Sequence, residues 1–124
     1  VTLGEYLKQA ASKPFAWAIH DCSTFAADWV VSQTGKDPMA SIRGQYDDEE
    51  TGLSLISSHA QGLYGLWADN MAGIWKEGQG DGAIGILNIA GQDYCGIMTG
   101  DKWAVLSVRG LRVSPFKAVV SWHG

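Results

Sequence analysis

The sequence predicts an α+β domain in which N-terminal helices pack on a C-terminal antiparallel β-sheet. Three observations carry this expectation. Apolar residues recur at helical spacing in the first half, and at a period of two from Trp75 onward. The apolar segments of the second half are joined by short, glycine-bearing connections, which imply neighbouring antiparallel strands in a meander. The chain has 124 residues and no linker, repeat or shift of composition, so residues 1–124 are expected to form one domain.

The elements follow in order. Thr2-Leu3-Gly4-Glu5 has the form of a capping box, and Leu3, Leu7, Ala10 and Ala11 continue at helical spacing until Lys13-Pro14. Asp21 is a good N-cap for a second helix with the stripe Cys22, Phe25, Ala26, Trp29 and Val30, closed by Gly35 in a left-handed C-cap. A third helix is expected from Asp48 to about Ala60, with Gly62 as its terminator, and a fourth from Leu63 to Ala72. Ala83 to Ile89 is a nearly all-apolar strand. Tyr94 to Thr99 and Lys102 to Val108 form a hairpin turning at Gly100-Asp101. Arg109-Gly110 leads into a strand from Leu111 to Ser114, and Lys117 to Trp122 is the last.

Composition narrows the function. Hydrophobic residues make up 46% and charged residues 18%, the balance of a folded chain rather than a disordered one. A formal charge of −4, with no basic run, argues against nucleic acid as a partner. The longest apolar run, Phe15 to Ile19, is too short for a membrane span, and no basic-then-apolar leader opens the chain. The six tryptophans are expected mostly in the core. No cofactor or metal is expected: His20 and Cys22 lack the partners of a tetrahedral site, and Gly78 to Gly82 lacks the Lys-Ser/Thr ending of a phosphate loop. Asp47-Asp48-Glu49-Glu50 lacks calcium-loop spacing and suits a helix N-terminus instead.

The chemistry-bearing candidate is Trp17-Ala18-Ile19-His20-Asp21-Cys22-Ser23. A cysteine in the first turn of a helix faces free backbone N–H groups and the positive end of the macrodipole, both of which favour the nucleophilic thiolate. The alternative is that Cys22 is a small hydrophobe heading the stripe of Phe25 and Trp29.

Asp21-Cys22-Ser23 opening a helix, Gly80-Asp81 before an apolar strand, and Gly96-Ile97 with Gly100 in the next strand resemble the NlpC/P60 cysteine peptidases. These are papain-like domains that cut peptide bonds in bacterial cell wall. The chain is similar more narrowly to small phage and prophage proteins of that superfamily, a domain-of-unknown-function subgroup. Phe15-Ala16-Trp17, Thr34-Gly35-Lys36-Asp37-Pro38, Arg43-Gly44-Gln45-Tyr46, Gly110-Leu111 and Ser121-Trp122 carry that likeness across residues 2 to 122. The resemblance implies a papain-like NlpC/P60-type fold, with helices on a C-terminal antiparallel sheet or meander. It also implies a place at the virion tail tip, with assembly in the host cytoplasm and other tail-tip proteins as partners.

The departures from the family pattern matter as much. The family's catalytic histidine, two residues before the Gly of the Gly-Ile pair, corresponds to Tyr94, and tyrosine with a reference pKa of about 10 is a poor base at neutral pH. The orienting residue expected near Ala104 or Val105 is absent. Only the nucleophile, Cys22, carries over. His20 is the candidate substitute base, against the alternative that it caps or packs on the helix start. His59 and His123 are expected in solvated or terminal positions. A one-residue register shift would point Cys95 rather than Tyr94 at Cys22, giving a two-thiol contact or redox-labile pair, although a standing disulfide is not expected in bacterial cytoplasm.

Two functions are therefore expected to compete. One is a structural and interaction component of a phage or phage-like tail tip with a degenerate catalytic site. The alternative is an active cysteine peptidase or amidase that cleaves peptidoglycan peptides with Cys22 as nucleophile.

Overall fold

The computed structural model describes residues 1–124. Four helices precede six strands, the α+β order that the change of period implies: α1 (Leu3–Ala11), α2 (Cys22–Thr34), α3 (Glu49–Ser57), α4 (Gly62–Met71), β1 (Lys76–Glu77), β2 (Ile84–Ile89), β3 (Gln92–Thr99), β4 (Lys102–Ser107), β5 (Gly110–Ser114) and β6 (Ala118–His123). No helix is long and apolar enough to cross a membrane.

The helix ends follow from side-chain chemistry. Thr2 and Glu5 form a reciprocal capping box on α1. Asp21 caps α2, and Gly35 closes it at φ +75°, a left-handed conformation that glycine adopts without steric cost. Asp48, expected as the start of the third helix, is the N-cap of α3, and α3 stops at Ser57 instead of continuing to about Ala60. Ser57 and Ser58 turn their hydroxyls back onto the Ser54 and Leu55 carbonyls, competing with the continuing backbone ladder. Gly62, expected as a terminator, instead begins α4 at φ +61°.

The strands form one antiparallel sheet in the order β1-β6-β2-β3-β4-β5. Strands β2 to β5 are a meander, with Gly100 at φ +62° turning β3 into β4. The last strand breaks the expected pattern, because β6 crosses back to lie between β1 and β2. The burial of β2 accounts for this. Ile84 and Ile86 face the helices while Leu87 faces the other way, all fully buried, so neither edge of β2 can leave its backbone groups to solvent. A bulge between Ile86 and Leu87, which pair with Val120 and Ala118, leaves Val119 unpaired and exposed.

The main core lies between helices and sheet, with Phe25, Trp67, Met71, Ile86, Ile97 and Leu106 near its centre. A smaller cluster of Ala83, Leu87, Trp103 and Val105 fills the opposite face of the sheet. There Gly85 sits under Trp103, where a Cβ would stand 2.6 Å from the indole ring. Trp29, Trp67, Trp103 and Trp122 are buried, in keeping with a core built on large rings.

Two polar ties hold α1 against α2 and the segment that precedes it. Tyr6 donates its hydroxyl to the Phe25 carbonyl at 2.6 Å, and the His20 ring meets the Ala10 carbonyl at 2.9 Å.

Candidate cysteine site at the head of the second helix

The segment before α2 folds back on itself through reciprocal backbone bonds between Ala16 and His20, 3.0 and 2.7 Å long. The turn forces Ala18 to φ +68°, a rare conformation for a residue with a Cβ. It aims the Ala18 N–H at Asp21, whose buried carboxylate gathers several donors. Oδ1 accepts the Thr24 N–H at 2.8 Å and the Thr24 hydroxyl at 3.1 Å, while Oδ2 accepts the Ala18 N–H at 2.9 Å and the Tyr46 hydroxyl at 2.6 Å. Burial, and next the Asp21 carboxylate, push the Tyr46 phenol far above its ordinary range, so it stays a neutral donor.

Tyr46 is delivered by the loop between α2 and α3. Arg43 within that loop bridges Asp37 at 2.6 Å and Asp28 of α2 at 2.7 Å, holding the loop against the helix. The sequence pattern quoted above includes Arg43 and Tyr46, but nothing in their spacing places the phenol on the Asp21 cap.

Cys22 is the first residue of α2 and is half-buried. It lines a cavity of about 500 Å³ whose walls include Phe15, Trp17, Tyr46, Leu53, Ile56 and Leu66. The Ser23 hydroxyl lies 3.9 Å from the Cys22 sulfur and 3.5 Å from that of Cys95, which is fully buried on β3. Both thiols are free.

Their acidities move apart. The nearby Cys95 thiol, as a polar neighbour of a Cys22 thiolate, lowers the Cys22 pKa. The Cys95 backbone and Ser23 add to this, against burial and the Asp21 charge. Burial raises Cys95, and its neighbour Cys22 raises it further.

The structure brings together some of the sequence candidates and separates others. Cys22 stands where the motif places it. The candidate base His20 is held by its Nε2 against the Ala10 carbonyl near the end of α1, and it makes no hydrogen bond to Cys22. Tyr94 borders the cavity, but it packs with Ala83, Leu87, Trp103 and Val105 on the sheet face turned away from the helices. The side chain that β3 presents on the Cys22 side is Cys95, paired with Ile86 and belonging with it to the helix-facing core. The register-shift alternative is thus the arrangement found. Ala104 and Val105 are both buried, Ala104 facing the helices and Val105 the second cluster.

The remaining candidates have other employment. His59 pairs with Asp69 at 2.7 Å across the α3–α4 turn, and His123 meets the Asp81 carbonyl at 3.0 Å. The glycine-rich turn supplies the Gly82 carbonyl to the Trp29 indole N–H at 2.8 Å. No group of three His, Cys, Asp or Glu side chains is placed to hold a metal ion. Sequence reading missed Ser23 as the polar atom between two sulfurs. Its position one residue after a candidate nucleophile was the only signal.

Chemically, the site combines a half-buried free thiol, a second buried thiol and an apolar cavity, with a carboxylate already bonded to several donors. No curated protein and no solved structure matches the chain. A family model described as a domain of unknown function, DUF6950, matches residues 1–123, and the chain belongs to that family.

Proposed function

We propose that the chain is a structural and interaction domain of a phage or phage-like tail tip, an NlpC/P60-like fold that has lost the cysteine–histidine pair. The observation that carries this reading is the identity of the group facing Cys22. A general base has to lie within hydrogen-bond reach of its nucleophile, and β3 offers Cys95, a thiol whose acidity is itself suppressed. His20, His59 and His123 bond to the Ala10 carbonyl, the Asp69 carboxylate and the Asp81 carbonyl, and none of them hydrogen-bonds to Cys22. The helices-then-sheet order, with a cysteine at a helix N-terminus packed against the sheet, supports the papain-like resemblance. The tail-tip location, with other tail proteins as partners, rests on the chain-wide sequence likeness.

One observation favours the alternative, a peptidase acting on peptidoglycan. Cys22 is lowered in pKa and opens on a cavity of about 500 Å³. Particles carrying Cys22→Ala separate the two readings. The structural reading expects normal assembly, immunogold labelling of the chain at the tail tip, and undiminished digestion of purified wall. Loss of digestion with intact assembly moves the assignment to the peptidase, and absence of the chain from purified particles removes the tail-tip reading.

A further inference from the structure

We propose that Cys22 and Cys95 form an intramolecular redox couple, in which a hydroperoxide oxidises Cys22 from the cavity and Cys95 resolves the product into a disulfide joining α2 to β3. This goes beyond the structural role and does not depend on it.

Geometry carries the inference. Both thiols sit on elements that leave them little freedom. Cys22 is the first residue of a helix whose cap carboxylate is bonded to Ala18, Thr24 and Tyr46, and Cys95 lies within a strand that is paired to β2 along its length. The helix and the strand pack directly on one another, and the Ser23 hydroxyl is within reach of both sulfurs, at 3.9 and 3.5 Å. Exposure divides the labour: Cys22 lines the cavity, whereas Cys95 has no accessible surface. An entering oxidant therefore meets Cys22 first. Cys22 is also the thiol whose acidity is raised by its partner, so the accessible group is the better source of thiolate.

The chemistry balances with hydrogen peroxide as the oxidant. The Cys22 thiolate attacks one peroxide oxygen, the O–O bond breaks, and the departing hydroxide takes a proton to become water. Cys22 is left as sulfenic acid. The Cys95 sulfur then attacks the Cys22 sulfur, the S–O bond breaks, and the hydroxide released combines with the Cys95 proton as a second water. Two thiols lose two electrons, and the peroxide gains them. Formation of the neutral sulfenic acid also removes the Cys22 charge that opposes deprotonation of Cys95.

The test uses the reduced chain treated with hydrogen peroxide, then denatured and alkylated. The expected result is loss of both alkylatable thiols, a monomeric band on a non-reducing gel, and a peptide map linking residues 22 and 95. Dithiothreitol should reverse all three. The cross-link closes a long loop between helix layer and sheet, so Tm of the untouched wild-type chain should rise by about 10 °C on oxidation. Cys95→Ala should leave Cys22 as a sulfenic acid that dimedone traps, with circular dichroism checking that the variant folds. Two persisting thiols, a disulfide found only between chains, or Cys22 passing to sulfinic acid while Cys95 stays free in the wild type would each overturn the proposal.

Discussion

Helices α2 and α3 begin with the same local device in very different surroundings. Each has an aspartate N-cap and a threonine three residues on, with the aspartate accepting the threonine N–H and the threonine hydroxyl accepting the aspartate N–H. At α2 both partners are buried, and the carboxylate takes two further donors from Ala18 and Tyr46. At α3 the cap is exposed, and its bonds stay within Asp47, Asp48 and Thr51. The motif in sequence thus names a helix start but not its worth. Tertiary donors convert one of the two caps into the anchor for a loop, a helix and a cysteine.

The largest effect that probes this contrast is Asp21→Ala. It removes a cap and leaves the half-buried Tyr46 hydroxyl and the Ala18 N–H without an acceptor. The expected loss is about 3 kcal/mol in urea denaturation. Equal losses from Asp21→Ala and Asp48→Ala would break the comparison.

Tyr46→Phe removes one donor while leaving the α2 cap intact, and should cost about 1 kcal/mol. It also tests a pH dependence. Because the folded-state pKa of Tyr46 is raised, its contribution is fully present below the unfolded value of about 10 and is lost as pH rises above it. The variant should therefore flatten the alkaline limb of a stability–pH curve. A limb that is unchanged would assign the alkaline loss to other groups, with Tyr6 first among them, since burial raises it in the same direction.

Asp48→Ala should lower Tm several-fold less than Asp21→Ala. The Asp48 pKa is lowered by the Thr51 N–H and hydroxyl, so its small contribution is present above about pH 4 and fades as pH falls further. Thermal melts of the variant and parent at neutral and acid pH check both points. The smallest effect concerns rate rather than stability. The midpoint of Cys22 alkylation by iodoacetamide should lie below the ordinary thiol value of about 8.5. Replacing Cys95 with Ala should move it upward by removing a polar neighbour of the thiolate. No movement would show that the helix end alone sets the acidity.

The helix caps were legible because they are local: Thr2–Glu5, Asp21 and Gly35 each declare themselves within a few residues. The short α3 was not, since the serine hydroxyls that end it compete with a backbone that periodicity alone would continue. Cys22 was legible for the same local reason as its cap. Its partner was not decided, because sheet register sets which of Tyr94 and Cys95 faces the helices, and a strand's two faces differ by one residue. Tyr46 lies 25 residues from Asp21, a separation over which no spacing rule applies. The return of β6 is a matter of which strand edges need covering, a property of the assembled sheet rather than of any one segment.

That return strand also sets a timetable. During synthesis the helices and the meander of β2 to β5 emerge before residues 118–123, and each of those hairpins can form as soon as its second strand appears. β1 has no partner other than β6, and one edge of the doubly buried β2 stays open until β6 arrives. A nascent chain halted before residue 118 would thus carry a paired meander beside a bare apolar edge, the kind of surface that chaperones and misassembled neighbours recognise. Final closure belongs to the longest-range strand pairing in the sheet, Lys76 with His123.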